Sequence, residues 1–459
     1  MKQKQQSNPA KYKRSYFKSF LLHNKPEFKR LSPAQQDYMA FMVSNIAEGS
    51  IENKTFEGTY CAFFQPRYEA FVNNDNFLNK NGYLGDWLIK VEKGKYRGNP
   101  LGLADGWTIS QEARELYNEF ISQLNHKTLP PKTNFKGEAK PKMQNGLRSY
   151  SLTRHPSAFA GLFMPYEIEI NLEGIRSFRE YHLERSEKRS AQIVADCNFI
   201  STSAFIEGEK AFVYQQYIQY PSGRLYLQGK SLQTVCKEVK EVAFKGHYDY
   251  DFENCHYEIV RQLGDLYGLP TENLTYYCNN KSLFRQKLAD QNQVDIKTAK
   301  VVLLSLIYGA KLSKDKRLSI YLSILEGSEM EEKEVMDAIG RMQKDPMLKN
   351  FIKELRQIRN AIFHKHKIRK DGVPFTKSIF NVFGTKAKCE LNPDNVSLAH
   401  VVQGYEALML KVVLELCGES LRLLQHDGFV SSDPIDTEML SQAIFEQTGF
   451  RMKITSNVF

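Results

Sequence analysis

The segment Arg422-Leu423-Leu424-Gln425-His426-Asp427-Gly428-Phe429-Val430-Ser431-Ser432 constrains the chain most, because it reads as a β-hairpin. Two short, largely apolar half-strands flank a polar centre, and the Asp-Gly pair suits a tight primed turn. A hairpin commits its strands to an antiparallel sheet. Far upstream, Tyr248-Asp249-Tyr250-Asp251 alternates ring and acid, the two-residue period of a strand. The residues from Asn254 to Leu263 then read as a helix. An acid at a strand end or a hairpin tip is aimed at a fixed point, as a ligand of a hard cation must be. For any single Asp the commoner role is a helix N-cap.

Between these acids, Lys300-Val301-Val302-Leu303-Leu304-Ser305-Leu306-Ile307-Tyr308-Gly309 reads as a helix. At about 100° per residue, Lys297, Leu304 and Tyr308 share one sector and Lys300 lies about 60° away. A lysine so placed can meet a triphosphate while the phenol reaches a sugar or base. Residues 301 to 307 are almost wholly apolar, so the opposite side of this helix is core. In Pro221-Ser222-Gly223-Arg224-Leu225-Tyr226, Gly223 gives a bend and Arg224 a planar cation for a phosphate or a base edge. Gln403, in Val401-Val402-Gln403-Gly404-Tyr405-Glu406, either hydrogen-bonds a minor-groove acceptor or caps the helix that leads to the hairpin. His364 and His366 do not share a helix face, which argues against a metal site there.

The 63 Lys and Arg outnumber the 53 Asp and Glu, and the net charge of +10 favours a polyanionic partner. The seven cysteines include no Cys-x-x-Cys pair, which argues against a zinc ribbon and a disulfide framework and suits a reducing cytosol. No apolar run suits a signal peptide or spans a bilayer, so a cytoplasmic protein with no membrane association is expected. Residues 1–30 form a basic arm, with Glu27 as its single acid. Residues 31–156 read as a mainly helical N-terminal domain ending in a basic, Pro-rich linker from 126 to 156. Every motif with chemical content falls in residues 157–459.

The order Gly-Arg, Asp, Lys…Tyr-Gly, Gln-Gly and His-Asp, over residues 215 to 435, resembles the family A polymerase superfamily. That superfamily comprises DNA polymerase I-like enzymes and the single-subunit phage and mitochondrial-type RNA polymerases; this chain would be a compact, divergent member. The resemblance implies an α+β fold, a right-hand polymerase with an antiparallel palm sheet and helical fingers and thumb, plus the N-terminal domain. It implies that Asp251 and Asp427 are catalytic and hold two Mg2+ ions, with Mn2+ as a substitute. Lys300 would neutralise the triphosphate and Tyr308 would sit by the incoming sugar, with Lys297, Gly309 and His256 completing the nucleotide site. Arg224, Gln403 and His426 would contact nucleic acid. The implied partners are a DNA template, the nascent RNA or DNA strand and nucleoside triphosphates, together with a partner subunit or single-strand-binding protein.

The chain also departs from the pattern. Ile296 stands where the family usually has Arg, with Lys297 beside it as a substitute. The DNA polymerases have Glu five residues after the first Asp and directly after the second; His256 and Gly428 stand there. The RNA polymerases lack both, and their Gly-Arg-Val-Tyr is close to Gly223-Arg224-Leu225-Tyr226. Leu306-Ile307-Tyr308-Gly309 and Leu232-Gln233 look more like the DNA enzymes. The expectation is template-directed nucleotidyl transfer, leaning to a DNA-directed RNA polymerase. The alternatives are a family A-like DNA polymerase of a phage or mobile element, and a non-enzymatic nucleic-acid-binding subunit for replication or transcription.

Overall fold

The ring-and-acid alternation of residues 248–252 becomes a strand whose rings face inward: Tyr250 and Phe252 are buried, while Asp249 and Asp251 take the opposite face. The computed structural model describes residues 9–48, 53–56, 59–64, 87–92, 105–123, 147–149, 159, 161–165, 167–185, 188–215, 217–227, 231–328, 330–370, 373–388 and 395–459. The strand Tyr248–Phe252 lies inside a four-stranded antiparallel sheet. Its order is Leu421–Leu424, Gly428–Ser431, Tyr248–Phe252 and Ile454–Val458. Asp251 pairs with Gly428 on one side and Thr455 on the other, and Tyr250 stacks on Phe429 at 4.8 Å between ring centres. The chain's last strand, Ile454–Val458, gave no signal in the sequence reading.

The expected hairpin forms, but not through a primed turn. That turn needs positive φ at its central residues, and neither Asp427 nor Gly428 has it. The connection is Gln425-His426-Asp427, closed by the Gln425 N–H donating to the Gly428 carbonyl at 2.8 Å. Glycine is needed at 428 for a different reason. A Cβ there would sit 2.2 Å from the backbone oxygen of Tyr250, so the two central strands meet only because position 428 has no side chain.

Helices cover this sheet and extend beyond it. Cys255–Leu266 follows the Asp251 strand and buries Cys255, Ile259, Val260 and Leu263. Ile296–Ile307 is capped by the Asp295 carboxylate, which accepts from the Thr298 N–H. The break at Asp345-Pro346 separates Glu332–Met342 from Pro346–Lys365; Asp345 caps the second helix and Pro346 opens it. Asn395–Cys417 runs back to the hairpin. Gln403 lies about two turns past the start of this helix, so it does not cap it.

The N-terminal part is both helix and sheet. Helices Pro9–Asn24, Pro33–Glu48 and Gln111–Gln123 share a hydrophobic cluster that includes Phe17, Leu21, Val43, Tyr117 and Phe120. A four-stranded sheet accompanies them, in the order Asn53–Phe56, Thr59–Phe64, Asp105–Ile109, Leu88–Glu92. From Pro9 the basic arm is thus helical and packs through Phe17 and Leu21. The linker expected at 126–156 lies outside the described residues except for 147–149, which pair in parallel with Tyr217–Gln219. Buried Arg179 joins the two parts, donating to the Asn118 carbonyl at 2.8 Å. Helices and mainly antiparallel sheets make the fold class α+β. Among the described residues no helix is long and apolar enough to cross a membrane.

Candidate active site

Asp251 and Asp427 lie side by side at one end of the central strand pair. Asp251 is the register partner of Gly428, and the N–H of Phe252 donates to the Asp427 carbonyl at 2.7 Å. Both residues are exposed. Partial burial, then the charges of Asp427 and Asp249, push the Asp251 carboxyl up to about 6. Lys281, at the start of helix Lys281–Asn292, opposes that rise. Two adjacent, solvent-facing carboxylates, one of them raised in the field of the other, are a hard-oxygen donor pair and fit divalent cations such as Mg2+. Among the described residues, no group of three or more His, Cys, Asp or Glu is arranged to hold a metal ion.

Beside this pair lies a buried relay. Glu406 is 0% exposed, and its Oε2 accepts from Arg224 Nη2 at 2.6 Å, from Arg224 Nε at 3.1 Å and from His256 Nε2 at 2.6 Å. Burial alone would raise the Glu406 carboxyl, but His256 and Arg224 hold it below its ordinary value. Burial opposes the Arg224 charge and Glu406 outweighs it, so that guanidinium stays firmly protonated. Because Nε2–H is spent on Glu406, the other ring nitrogen of a neutral His256 is an acceptor. The Tyr308 hydroxyl donates to that Nδ1 at 2.5 Å. Burial, the largest effect, raises the Tyr308 phenol, so it keeps its proton.

Tyr308 is the C-terminal cap residue of the helix Ile296–Ile307. Gly309 follows with φ +93°, its N–H reaching the Leu306 carbonyl and that of Ala310 reaching Ser305. This is the glycine-dependent termination that fixes where the phenol leaves the helix. The open face of the helix carries Lys297, Lys300 and Leu304, all exposed, while Thr298, Ala299, Val302, Leu303, Leu306 and Ile307 are buried. Lys297 donates to the Gly327 carbonyl at 3.2 Å. Lys300 lies eight residues from Tyr308, about 12 Å along the axis, with no hydrogen-bond or ion-pair partner among the described residues.

The His426 ring packs against Tyr226 at 4.5 Å between ring centres, tilted by 57°, and Tyr226 against Tyr220 at 4.6 Å, tilted by 60°. Burial, then Arg224, lowers the His426 imidazole below its ordinary value, and its Nδ1 is buried without a partner. Gln403 lies on the Glu406 helix, half-buried, one turn away. On the other side of the hairpin, Lys240 Nζ donates to Gln425 Oε1 at 2.9 Å, and Gln425 Nε2 donates to Asp249 Oδ1 at 3.0 Å.

The structure thus brings Asp251 and Asp427 together, and Arg224, His256 and Tyr308 together, while Lys300 stands out on its own helix. Arg224 is turned inward to Glu406 and away from solvent. Sequence reading missed Glu406, Lys240 and Gln425. The first carried a signal, a lone acid inside the apolar run from Val401 to Leu410. No protein-family model matches the chain, and no curated protein matches it.

Proposed function

We propose that the chain is a template-directed nucleic-acid polymerase, a compact right-hand enzyme whose palm is the four-stranded sheet and whose fingers include the Lys300 helix. The observation that carries this reading is the placement of Asp251, on a central strand, beside Asp427, in the connection that enters the neighbouring strand, with Asp251 in the field of Asp427. The two carboxylates would hold the Mg2+ ions, or Mn2+ in their place. Divalent cations bound there neutralise charge at the attacking 3′-hydroxyl and at the departing pyrophosphate.

The chain's own residues supply the rest. Lys300, an ammonium on an exposed helix face with no partner among the described residues, balances triphosphate charge as it builds toward the leaving group. Tyr308 is anchored through His256 and Glu406, so its ring is a fixed wall for the incoming sugar. Arg224 holds Glu406 and so sets that wall, while His426 and Gln403 lie toward the primer or transcript terminus. The excess of basic residues serves a DNA template and a nascent strand. The Gly-Arg-Leu-Tyr motif and the absence of both family glutamates favour ribonucleotides, hence a DNA-directed RNA polymerase.

The test is incorporation of labelled nucleotides on primed and promoter-free templates. Asp251→Ala and Asp427→Ala each reduce Mg2+-dependent product at least ~1,000-fold while nucleic-acid affinity changes less than about threefold. Normal polymerisation by either variant removes that acid from the site. Faster use of deoxyribonucleotides than ribonucleotides makes the enzyme a DNA polymerase. Absence of product from the intact protein on every template leaves a nucleic-acid-binding subunit as the reading.

A further inference from the structure

Three carboxylates, not two, crowd this end of the sheet. Asp249 is two residues before Asp251 on one strand, so both project from the same face. Asp249 pairs in register with Val430, two positions further along the strands than Asp251 with Gly428. Its environment differs in kind. Asp251 is exposed, whereas Asp249 is half-buried and accepts from the Gln425 side chain. That amide has only one workable orientation. Lysine donates and a carboxylate accepts, so Oε1 must face Lys240 and Nε2 must face Asp249. Gln425 is also the residue whose backbone N–H closes the hairpin that carries Asp427. Lys240 and Asp249 are therefore coupled through the Asp427 turn itself, and Lys240 lies within the field of both Asp249 and Asp427.

We propose that Lys240 is the built-in counter-charge of this site: through Gln425 it balances Asp249, withholds that carboxylate from metal, and sets how tightly Asp251 and Asp427 hold divalent cations. The inference rests on the polymerase reading only in taking those two acids as the metal ligands. A fixed ammonium beside an anionic pair lowers its attraction for a cation, and removing the ammonium raises it. Asp249 acts with the opposite sign, adding attraction from outside the coordination set. Neither residue touches the cation, so both are positioning residues.

Mn2+ affinity of the full chain, read from the free-ion signal in electron paramagnetic resonance, tests this without turnover. Lys240→Met tightens Mn2+ binding about fivefold, Asp249→Asn weakens it about fivefold, and the double variant returns to near the parental value. Lys240→Arg retains parental affinity, and Lys240→Gln gives the same tightening should the Met variant fail to fold. Asp251→Asn weakens binding about 100-fold or more, as loss of a ligand does. If Asp249→Asn matches Asp251→Asn, Asp249 is itself a ligand and the proposal is wrong. It is equally overturned if folded Lys240→Met or Lys240→Gln binds Mn2+ as the parent does. An intact protein that binds no Mn2+ removes the metal reading of Asp251 and Asp427, and Lys240's role with it.

Discussion

Asp251 is partly buried and meets like charges from Asp427 and Asp249, and the consequence can be measured. Its carboxyl stands near 6, above the ordinary carboxylate value of about 3.9. A raised native value means that the folded state gains from the proton. That contribution is complete below about pH 4 and is lost as pH rises through 6. In chelator, Asp251→Asn therefore melts about 1–2 °C higher than the parent at pH 7.5 and at the same temperature at pH 4. Mg2+ raises the parent's melting temperature at pH 7.5, does so less at pH 5, and leaves the variant nearly unmoved. A parent no less stable than Asp251→Asn at pH 7.5 without metal would mean that neither burial nor the neighbouring acids raise Asp251. The partner acid, Asp427, and the strand position of Asp251 were readable from ring-and-acid alternation and from apolar flanks. The size of their coupling was not, because it depends on register between distant segments, Asp251 against Gly428, 177 positions on, and Phe252 against Asp427, 175 positions on.

At the scale of elements, the hairpin teaches why a correct element can be reached by an incorrect reason. Asp-Gly suggested a primed turn, yet the turn is built from Gln425, His426 and Asp427 with no positive φ. What the glycine provides is close approach: Tyr250 O occupies the space a Cβ would need. Gly428→Ala accordingly forces backbone from backbone in the centre of the sheet and costs about 3 kcal/mol or more in urea unfolding, at the upper end for overpacking. It also loosens the Asp251–Asp427 alignment, so Mn2+ affinity falls with stability. A variant as stable as the parent would show that the strands can separate without cost. The helix at Gly309 is the converse case. There the sequence offers Gly309 to a nucleotide site, and the geometry that needs a glycine is its φ of +93°, which ends the helix. Local sequence reveals that a glycine matters sooner than it reveals which geometry needs it.

The whole molecule converges on Glu406. Arg224 lies 182 positions before it and His256 150, and Tyr308 joins through His256 from the end of the Lys300 helix. No local pattern in sequence announces such a meeting; a buried acid is affordable only where the fold delivers its cations. The sequence showed Arg224, His256 and Tyr308 as separate motifs, each aimed at substrate, and the acid that gathers them lay in an apolar helix. The energetic test follows from that burial. Removing Glu406 leaves the Arg224 guanidinium buried without its carboxylate, and removing Arg224 leaves the buried Glu406 carboxylate without its guanidinium, so Glu406→Ala and Arg224→Ala each destabilise by about 3–5 kcal/mol in urea. The double variant loses far less than the sum, because the second change removes the group that the first had stranded. The native Glu406 carboxyl is held below its ordinary value, so its contribution is present above the unfolded-state pKa of about 4.3 and is lost as pH falls through the lower native value. The coupling energy between Glu406 and Arg224 is thus large at pH 7 and shrinks in strong acid. Additive losses at pH 7 would mean that Glu406 and Arg224 are neighbours without being partners, and that Tyr308 is held by its helix alone.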